Sequence, residues 1–254
     1  VYATTTTDVV LALDESTGSW LWSYRSEERL TRNELSVLGS TRPVIRDGQL
    51  YAGLSDGRLV CLDAHTGAKE WELEIAEGRF LDVDATPVFT DDGMLITGSY
   101  SGPVVAVDLE RRDVAWRFES GVNGDIAAMY GRLYFADETG MLHCLDAVDG
   151  EEQWSWMPSG PKDLLNTPVG QGRILMVAHN KGALYALDAF SGEKLWRHEP
   201  RESHLGAVRP PTIDGRQVLV VTGDGYIRSL RAPPGVYDTG EDEPARRDSR
   251  HLGW

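Results

Sequence analysis

An aspartate followed eight residues later by a tryptophan occurs five times in this chain. The pairs are Asp14 with Trp22, Asp63 with Trp71, Asp108 with Trp116, Asp146 with Trp154, and Asp188 with Trp196. A small residue stands two positions before each aspartate, and a glycine follows four positions after it in every copy except the third, which has Arg112. Successive tryptophans are 49, 45, 38 and 42 residues apart. A constant spacing inside a looser period of about 40 residues predicts a blade-type structural repeat.

The second copy shows what one unit is expected to fold into. Short segments of alternating polarity are separated by glycine-containing turns, which is the pattern of β-hairpins. The predicted strands are residues 42–45, 49–54, 58–63 and 69–73. Gly67 is expected to have a positive φ in the last hairpin. Prolines 43, 87, 168 and 211 are expected at the first position of a strand, where an N–H is not needed. Repetition of this unit predicts an all-β fold, a β-propeller of four-stranded antiparallel blades with about six blades in this chain.

The repeats divide the chain into a propeller and a tail. The predicted propeller covers residues 1–235, with blades at 1–40, 41–84, 85–122, 123–165, 166–206 and 207–235. The first unit lacks its opening strand, and the last lacks the glycine and tryptophan hairpin, as terminal repeats often do. Residues 236–254 contain glycine, proline and charge without periodicity, so they are predicted to be a disordered charged tail.

The repeated tryptophans are expected to hold neighbouring blades together. One sheet cannot bury both of its faces alone, and an indole on its outer strand can cover about 200 Å² of the next blade. The predicted blade-docking residues are Trp22, Trp71, Trp116, Trp154 and Trp196. Each aspartate is expected to accept hydrogen bonds from the backbone of its own turn. Five equivalent aspartates cannot form one active site, so no catalytic role is predicted for them.

Composition narrows the classes of function. The 254 residues carry a net charge of −15, which disfavours binding to the phosphate backbone of nucleic acids. No apolar run reaches the roughly 18 residues that a membrane-spanning helix needs. Cys61 and Cys144 occupy the small-residue position of their repeats, so they are predicted to be buried, reduced and structural. Because the chain opens at Val1 inside a repeat, we expect an upstream segment in the full-length protein.

The repeat, seen most clearly in residues 184–196 (LYALDAFSGEKLW), resembles the tryptophan-docking repeat of the quinoprotein propeller superfamily, which contains both enzymes and binding modules. Residues 35–43 (LSVLGSTRP) and 79–88 (RFLDVDATPV) are similar to two segments of BamB, a family of outer-membrane assembly lipoproteins. The likeness covers about residues 1–231. It implies a propeller of eight blades in the family, so that about two N-terminal blades and the lipid-modified cysteine lie outside this chain.

In that family the two segments contact a periplasmic POTRA domain of the β-barrel insertase BamA. The resemblance transfers this role to Leu35, Val37, Asp82 and Asp84. Leucine and valine on a loop provide an apolar anchor, and two acids one residue apart provide a charged rim. In the alternative interpretation, the apolar pair caps the propeller's own core and the two acids only end strands.

One position departs from the family pattern. Leu38 stands where the family has an arginine that precedes a glycine. The departure removes a charged partner contact at Leu38, and Arg32 and Arg42 are the candidates to replace it.

The resemblance implies a non-enzymatic scaffold at the periplasmic face of the outer membrane, lipid-anchored in the full-length protein. Its expected partners are the insertase POTRA domain and unfolded outer-membrane proteins, the latter through β-augmentation. No cofactor, metal or catalytic residue is expected. The alternatives are a quinoprotein-type dehydrogenase and an extracytoplasmic sensor or adhesion propeller. The dehydrogenase family carries an adjacent cysteine pair and calcium ligands that this sequence does not show.

Other candidate sites are weaker. Asp82 and Asp84 have the spacing of a calcium-loop start, but a third acid and the glycine are missing. His143 belongs to no metal-ligand spacing. Trp20 and Trp156 are interpreted as packing residues rather than recognition residues.

Overall fold

The computed structural model describes residues 1–5, 7–26, 41–76, 82–158, 164–180, 182–198, 212–214, 217–221 and 227–231. These residues form six antiparallel sheets, numbered here in chain order, and the regular secondary structure among them is entirely β. Leu35, Val37, Leu38 and Arg32, and the predicted tail at 236–254, lie outside the described residues.

The strands follow the chain order within every sheet. Sheet 1 contains β1 (Tyr2–Thr4), β2 (Val9–Leu13) and β3 (Trp20–Arg25). Sheet 2 contains β4 (Val44–Arg46), β5 (Gln49–Gly53), β6 (Arg58–Asp63) and β7 (Lys69–Glu74). Sheet 3 contains β8 (Val88–Phe89), β9 (Leu95–Gly98), β10 (Val104–Asp108) and β11 (Asp113–Phe118). Sheet 4 contains β12 (Ala127–Met129), β13 (Arg132–Ala136), β14 (Leu142–Asp146) and β15 (Glu152–Trp156). Sheet 5 contains β16 (Val169–Gln171), β17 (Ile174–Ala178), β18 (Leu184–Asp188) and β19 (Lys194–His198). Sheet 6 contains β20 (Thr212–Asp214), β21 (Gln217–Val221) and β22 (Ile227–Arg231).

The predicted prolines lie next to the first strands rather than in them. Pro43, Pro87 and Pro168 each immediately precede the first strand of their sheet. Proline fixes φ but cannot donate to a strand neighbour, so regular pairing begins at the following residue.

The sheets stack side by side around a common centre, which confirms the predicted β-propeller. The first strands of neighbouring sheets contact each other, since β12 meets both β8 and β16, and β16 meets β20. The described core consists of five clusters, one between each pair of successive sheets. Cys61 belongs to the cluster between sheets 2 and 3, and Cys144 to that between sheets 4 and 5. Both thiols are free and buried, as predicted.

Pairing register explains the small residue of the repeat. In each docking unit this residue lies directly opposite the tryptophan of the outer strand: Ala12 opposite Trp22, Cys61 opposite Trp71, Ala106 opposite Trp116, Cys144 opposite Trp154, and Ala186 opposite Trp196. The register shifts at the next residue in all five units, which marks a β-bulge. A bulge increases local twist and re-aims a side chain. The small partner leaves room for the indole, and the bulge turns it toward the next sheet.

Each four-stranded sheet has two distinct ends because its connections alternate. The first and third turns lie at one end, which we call the turn end, and the repeated aspartates are found there. The middle turn and the connection to the next sheet lie at the opposite end, which we call the loop end. Asp82 and Asp84 are on the loop end, in the connection between β7 and β8.

Candidate functional site

The repeated aspartates serve their own turns. The Oδ1 atom of Asp14 accepts hydrogen bonds from the backbone N–H of Ser16 at 3.0 Å and of Thr17 at 2.8 Å. The hydroxyls of the same two residues donate to it as well, and these bonds lower the pKa of Asp14 to about 2. Asp63 repeats the pattern, and hydrogen bonds from Thr66 hold its pKa below the usual value. These carboxylates therefore stabilise hairpins.

Three of the tryptophans lie on the turn of the following sheet. The indole N–H of Trp22 donates to the carbonyl of Ala64 at 3.1 Å, and that of Trp154 to the carbonyl of Ala189 at 3.1 Å. Trp116 donates to the carbonyl of Ala147 at 3.3 Å. In each case the acceptor is the residue after the next repeat's aspartate.

The repeat glycine provides the surface on which the indole lies. A Cβ atom at Gly67 would approach the ring of Trp22 to 2.5 Å, and one at Gly150 would approach the ring of Trp116 to 2.7 Å. Both glycines also have a positive φ, of 74° and 75°. Glycine is required by the turn and by the ring at once.

The other two tryptophans lack this arrangement in the part of the chain that is described. Trp71, like Leu109 and Val114, packs against the cluster between sheets 2 and 3, and Arg112 takes the glycine position with a φ of 57°. The indole nitrogen of Trp196 is buried without a partner among the described residues. Trp20 is 60% exposed, so the packing interpretation fails for it, whereas Trp156 packs edge-on against Tyr185.

The segment carrying Asp82 and Asp84 is clamped between sheets 2 and 3. The N–H of Val83 donates to Leu54 of sheet 2 at 3.2 Å, and the N–H groups of Asp84 and Ala85 donate to Gly98 of sheet 3 at 3.1 Å. Val83 is buried, and its side chain occupies the space that a Cβ at Gly53 would need. In an extended segment, the side chains on either side of a residue point to the face opposite its own. Asp82 and Asp84 thus share one face of the segment, opposite Val83.

The two acids differ in their surroundings. One carboxylate oxygen of Asp84 accepts a hydrogen bond from the N–H of Tyr100 at 3.2 Å, while the other is buried without a partner among the described residues. Burial raises the pKa of Asp84 to about 7, with the charge of Asp82 adding to the rise and the Tyr100 N–H opposing it. The hydrogen bond from Tyr100 therefore helps to hold the loop in position through Asp84.

The sequence did not predict a series of polar contacts that links neighbouring connections at the loop end. Asp125 accepts hydrogen bonds from the backbone of Thr86 at 2.9 Å and from the guanidinium of Arg42 at 3.4 Å. Its own N–H donates to the hydroxyl of Thr167 at 2.8 Å. These contacts join the connections that precede sheets 2, 3, 4 and 5. The local pattern that could have indicated these contacts is a threonine before a proline, which occurs at positions 86 and 167.

His143 is part of a buried polar brace in sheet 4. Its Nε2 lies 3.3 Å from a carboxylate oxygen of Asp137, and its Nδ1 lies 2.7 Å from Glu152. Burial alone would lower the pKa of His143, but the hydrogen bonds to these two acids outweigh burial and raise it. Among the described residues there is no cluster of three or more His, Cys, Asp or Glu side chains arranged to hold a metal. No described segment is a helix long and apolar enough to cross a membrane.

The fold and its docking geometry define a class: a tryptophan-docked β-propeller. The family model for the outer membrane protein assembly factor BamB matches residues 1–156 and 158–237. The chain therefore belongs to the BamB family, as its sequence predicted.

Individual relatives agree with this assignment. The BamB of Legionella pneumophila (strain Paris) is 27% identical over 203 residues, which are 77% of this chain and 52% of that protein. The crystal structure of BamB from Moraxella catarrhalis matches with a TM-score of 0.78 at 21% identity, over 91% of this chain and 69% of that one. The chain thus spans about half the length of the curated relative. A quinone-dependent alcohol dehydrogenase subunit of Komagataeibacter europaeus is 34% identical over 140 residues, 48% of this chain and 18% of the enzyme.

Proposed function

We propose that this propeller is a non-enzymatic scaffold of the outer-membrane protein assembly machinery and binds the POTRA region of the barrel insertase through its loop end. Family membership along nearly the whole chain is the observation that carries the proposal. The proposal places the protein at the periplasmic face of the outer membrane, with a lipid anchor in the full-length protein.

The geometry of residues 82–85 supports the loop end as the binding surface. Backbone hydrogen bonds to both flanking sheets hold this segment in place before any partner arrives. A preorganised segment loses little conformational entropy on binding, so more of the contact energy appears as affinity. Asp82 provides the charged contact in this proposal, and Asp84 contributes by holding the loop through Tyr100. The segment at 35–38 is proposed to supply the apolar anchor with Leu35 and Val37, and Arg42 is the described candidate to compensate for Leu38.

The experiment is an affinity measurement between the propeller and the insertase POTRA region. Replacing both acids (Asp82→Ala with Asp84→Ala) should weaken binding by about 2 kcal/mol or more, because a desolvated charged contact is left half-made. The matched control, Glu15→Ala with Glu193→Ala, removes two exposed acids from the turn end and should leave affinity unchanged. Equal affinity of both double variants, with native melting temperatures, would assign the two acids to loop structure only.

A second candidate function is quinone-dependent oxidation, favoured by the 34% identity with the alcohol dehydrogenase subunit. That match covers only 18% of the enzyme. Adding pyrroloquinoline quinone and calcium to the protein tests it directly. We expect no change in the quinone absorption spectrum and no dye reduction, and either signal would support the enzyme instead.

We further propose that unfolded outer-membrane proteins bind by strand addition to sheet edges. Main-chain hydrogen bonds would supply affinity in such a complex. Photo-crosslinking from β22, the last described strand of sheet 6, to a nascent barrel strand tests this, with a crosslinker on the repeat turn at Asp146 as the control.

A further inference from the structure

The junction between sheets 2 and 3 departs from the other described junctions at the turn end. At the other junctions with a described repeat turn, the residue after the aspartate makes two or three hydrogen bonds to residues outside its own turn. Ala64 accepts from Trp22 and from the hydroxyl of Tyr2, and its N–H donates to Gly48 at 2.9 Å. Ala189 is held in the same way by Trp154, Tyr134 and Arg173. Within the described ranges, the equivalent residue of sheet 3, Leu109, makes none of these bonds.

The tyrosine that should hold Leu109 is engaged elsewhere. The hydroxyl of Tyr51, which corresponds to Tyr2 and Tyr134, donates to Gln49 of its own sheet at 2.7 Å. The backbone carbonyl of Leu109 is therefore left as an acceptor without a protein donor among the described residues.

Two sequence changes account for this difference. Arg112 replaces the repeat glycine on which the tryptophan of the previous sheet would lie. In addition, the first turn of sheet 3 has five residues between β8 and β9, whereas the corresponding turns of sheets 2, 4 and 5 have two. The longer turn, residues 90–94, is closed by hydrogen bonds between Thr90 and Met94. Among the described residues, no backbone hydrogen bond like the one from Ala64 to Gly48 joins this turn to the third turn of sheet 3.

A cleft of about 440 Å³ lies between the turns of sheets 2 and 3. Polar and charged groups make up most of its lining, including carboxylates from both turns of sheet 3, and Tyr51, Met94 and Leu109 provide the apolar part.

Some charged side chains of the cleft have an ion-pair partner among the described residues, and others do not. Arg46 lies over the ring of Phe89 and pairs with Asp47 at 3.7 Å. Asp108 accepts hydrogen bonds from its own turn and pairs with Arg111 at 3.5 Å. The side chains of Asp92 and Glu110, on the two turns, have no ion-pair partner among the described residues. The groups that remain available are thus two carboxylates and one carbonyl, all of which accept hydrogen bonds from a cation.

We propose that this cleft binds a basic segment of a partner protein, with an arginine or lysine side chain inserted between Asp92 and Glu110. The aliphatic stem of such a side chain would pack against Met94 and Leu109, and its charged head would pair with the carboxylates and the Leu109 carbonyl. The cleft is at the opposite end of the propeller from the proposed insertase surface. A second partner can therefore bind while the loop end is occupied.

The test uses the peptide acetyl-Gly-Arg-Arg-Gly-amide and amide NMR shifts of the intact chain. We expect shifts concentrated at Gly93 and Leu109, and none with the matched peptide that has glutamine in place of arginine. Asp92→Asn with Glu110→Gln should weaken binding about five- to tenfold, because each exposed charge pair contributes a fraction of the affinity. The control, Glu15→Gln with Glu193→Gln, removes the same charge from the same end and should change the affinity less than twofold.

Three outcomes would overturn the proposal. The first is an equal loss of affinity in the two double variants, which would show attraction by the net charge of −15 alone. The second is an arginine-induced shift pattern away from Gly93 and Leu109. The third is the absence of any arginine-dependent shift. All four substituted side chains are exposed, and equal melting temperatures would confirm that both double variants are folded.

Discussion

Trp154 shows how much of the architecture depends on one side chain. Its indole pairs with Cys144 across the bulge, donates to Ala189 of the next sheet and lies on Gly192. One residue thus connects two sheets by burial and by a hydrogen bond. Trp20, which is 60% exposed, makes no such contact in the described structure.

We predict that Trp154→Ala lowers the free energy of unfolding by about 3–5 kcal/mol, because it removes a large partly buried ring and its hydrogen bond. Trp20→Ala, on the outer strand of sheet 1, is the control and should change it by less than about 0.5 kcal/mol. Urea unfolding followed by circular dichroism measures both. Similar losses in the two variants would show that the Trp154 contact does not hold the blades.

The glycine under each indole permits a sharper comparison. Gly150 and Gly131 have similar φ values, 75° and 68°, but a Cβ would meet Trp116 only at Gly150. Alanine at either position costs about 1–2 kcal/mol in backbone strain. We predict that Gly150→Ala costs about 1–3 kcal/mol more than Gly131→Ala, because the ring must also move. Equal urea midpoints for the two variants would contradict docking at this turn.

Turn contacts of single residues could be predicted from the sequence, but the burial of single residues could not. The aspartate turns and the positive φ of Gly67 could be predicted because they depend on four or five consecutive residues. The burial of Asp84 could not, because it depends on segments distant in the chain; even its hydrogen-bond donor, Tyr100, is sixteen residues away.

At the scale of the element, the four strands of sheet 2 were predicted closely, because their polarity alternates and glycine turns separate them. Sheet 3 was not predicted to differ in its turns. The five-residue turn at 90–94 and Arg112 are visible in the sequence. That Leu109 lacks the hydrogen bonds of its equivalents could not be predicted, because those bonds depend on the position of the neighbouring sheet. The pairing of small residues with tryptophan was likewise missed, although the separation of ten residues is constant.

The brace in sheet 4 gives this element a pH dependence. The pKa of His143 is higher in the folded chain than its unfolded value of 6.5, so its contribution is complete below about pH 6.5 and is lost as pH rises through the folded pKa. Burial would raise the pKa of Asp137, but its hydrogen bond with His143 lowers it below 3.8, so its contribution is lost only as pH falls through that lowered value. The brace is strongest between these limits.

We predict that His143→Gln destabilises the protein more at about pH 5.5 than at about pH 9, since glutamine cannot carry the charge that Asp137 and Glu152 stabilise. Unfolding free energies of both proteins at the two pH values measure this. Other groups around the ring, Phe118 and Phe135, do not titrate. A difference that is constant with pH, or larger at high pH, would show that His143 is neutral in the fold.

At the scale of the whole molecule, the two ends of the propeller differ in their contacts. The loop end is joined by backbone bonds between sheets and by the contacts of Asp125, whereas the turn end carries the docking turns and the cleft at sheets 2 and 3. The propeller fold and family could be predicted from the sequence because the repeat recurs along the chain. The end of the propeller proposed to bind each partner could not be predicted, because it depends on how the sheets are arranged in space.

Hydrogen–deuterium exchange of the chain alone and in complex with the insertase POTRA region distinguishes binding at the loop end from binding at the turn end. We expect slower exchange on binding in residues 82–85 and 35–38 at the loop end, with no change in turns such as residues 47–48 at the turn end. Protection confined to the turn end, or a stable complex with no protection at residues 82–85, would contradict binding at the loop end.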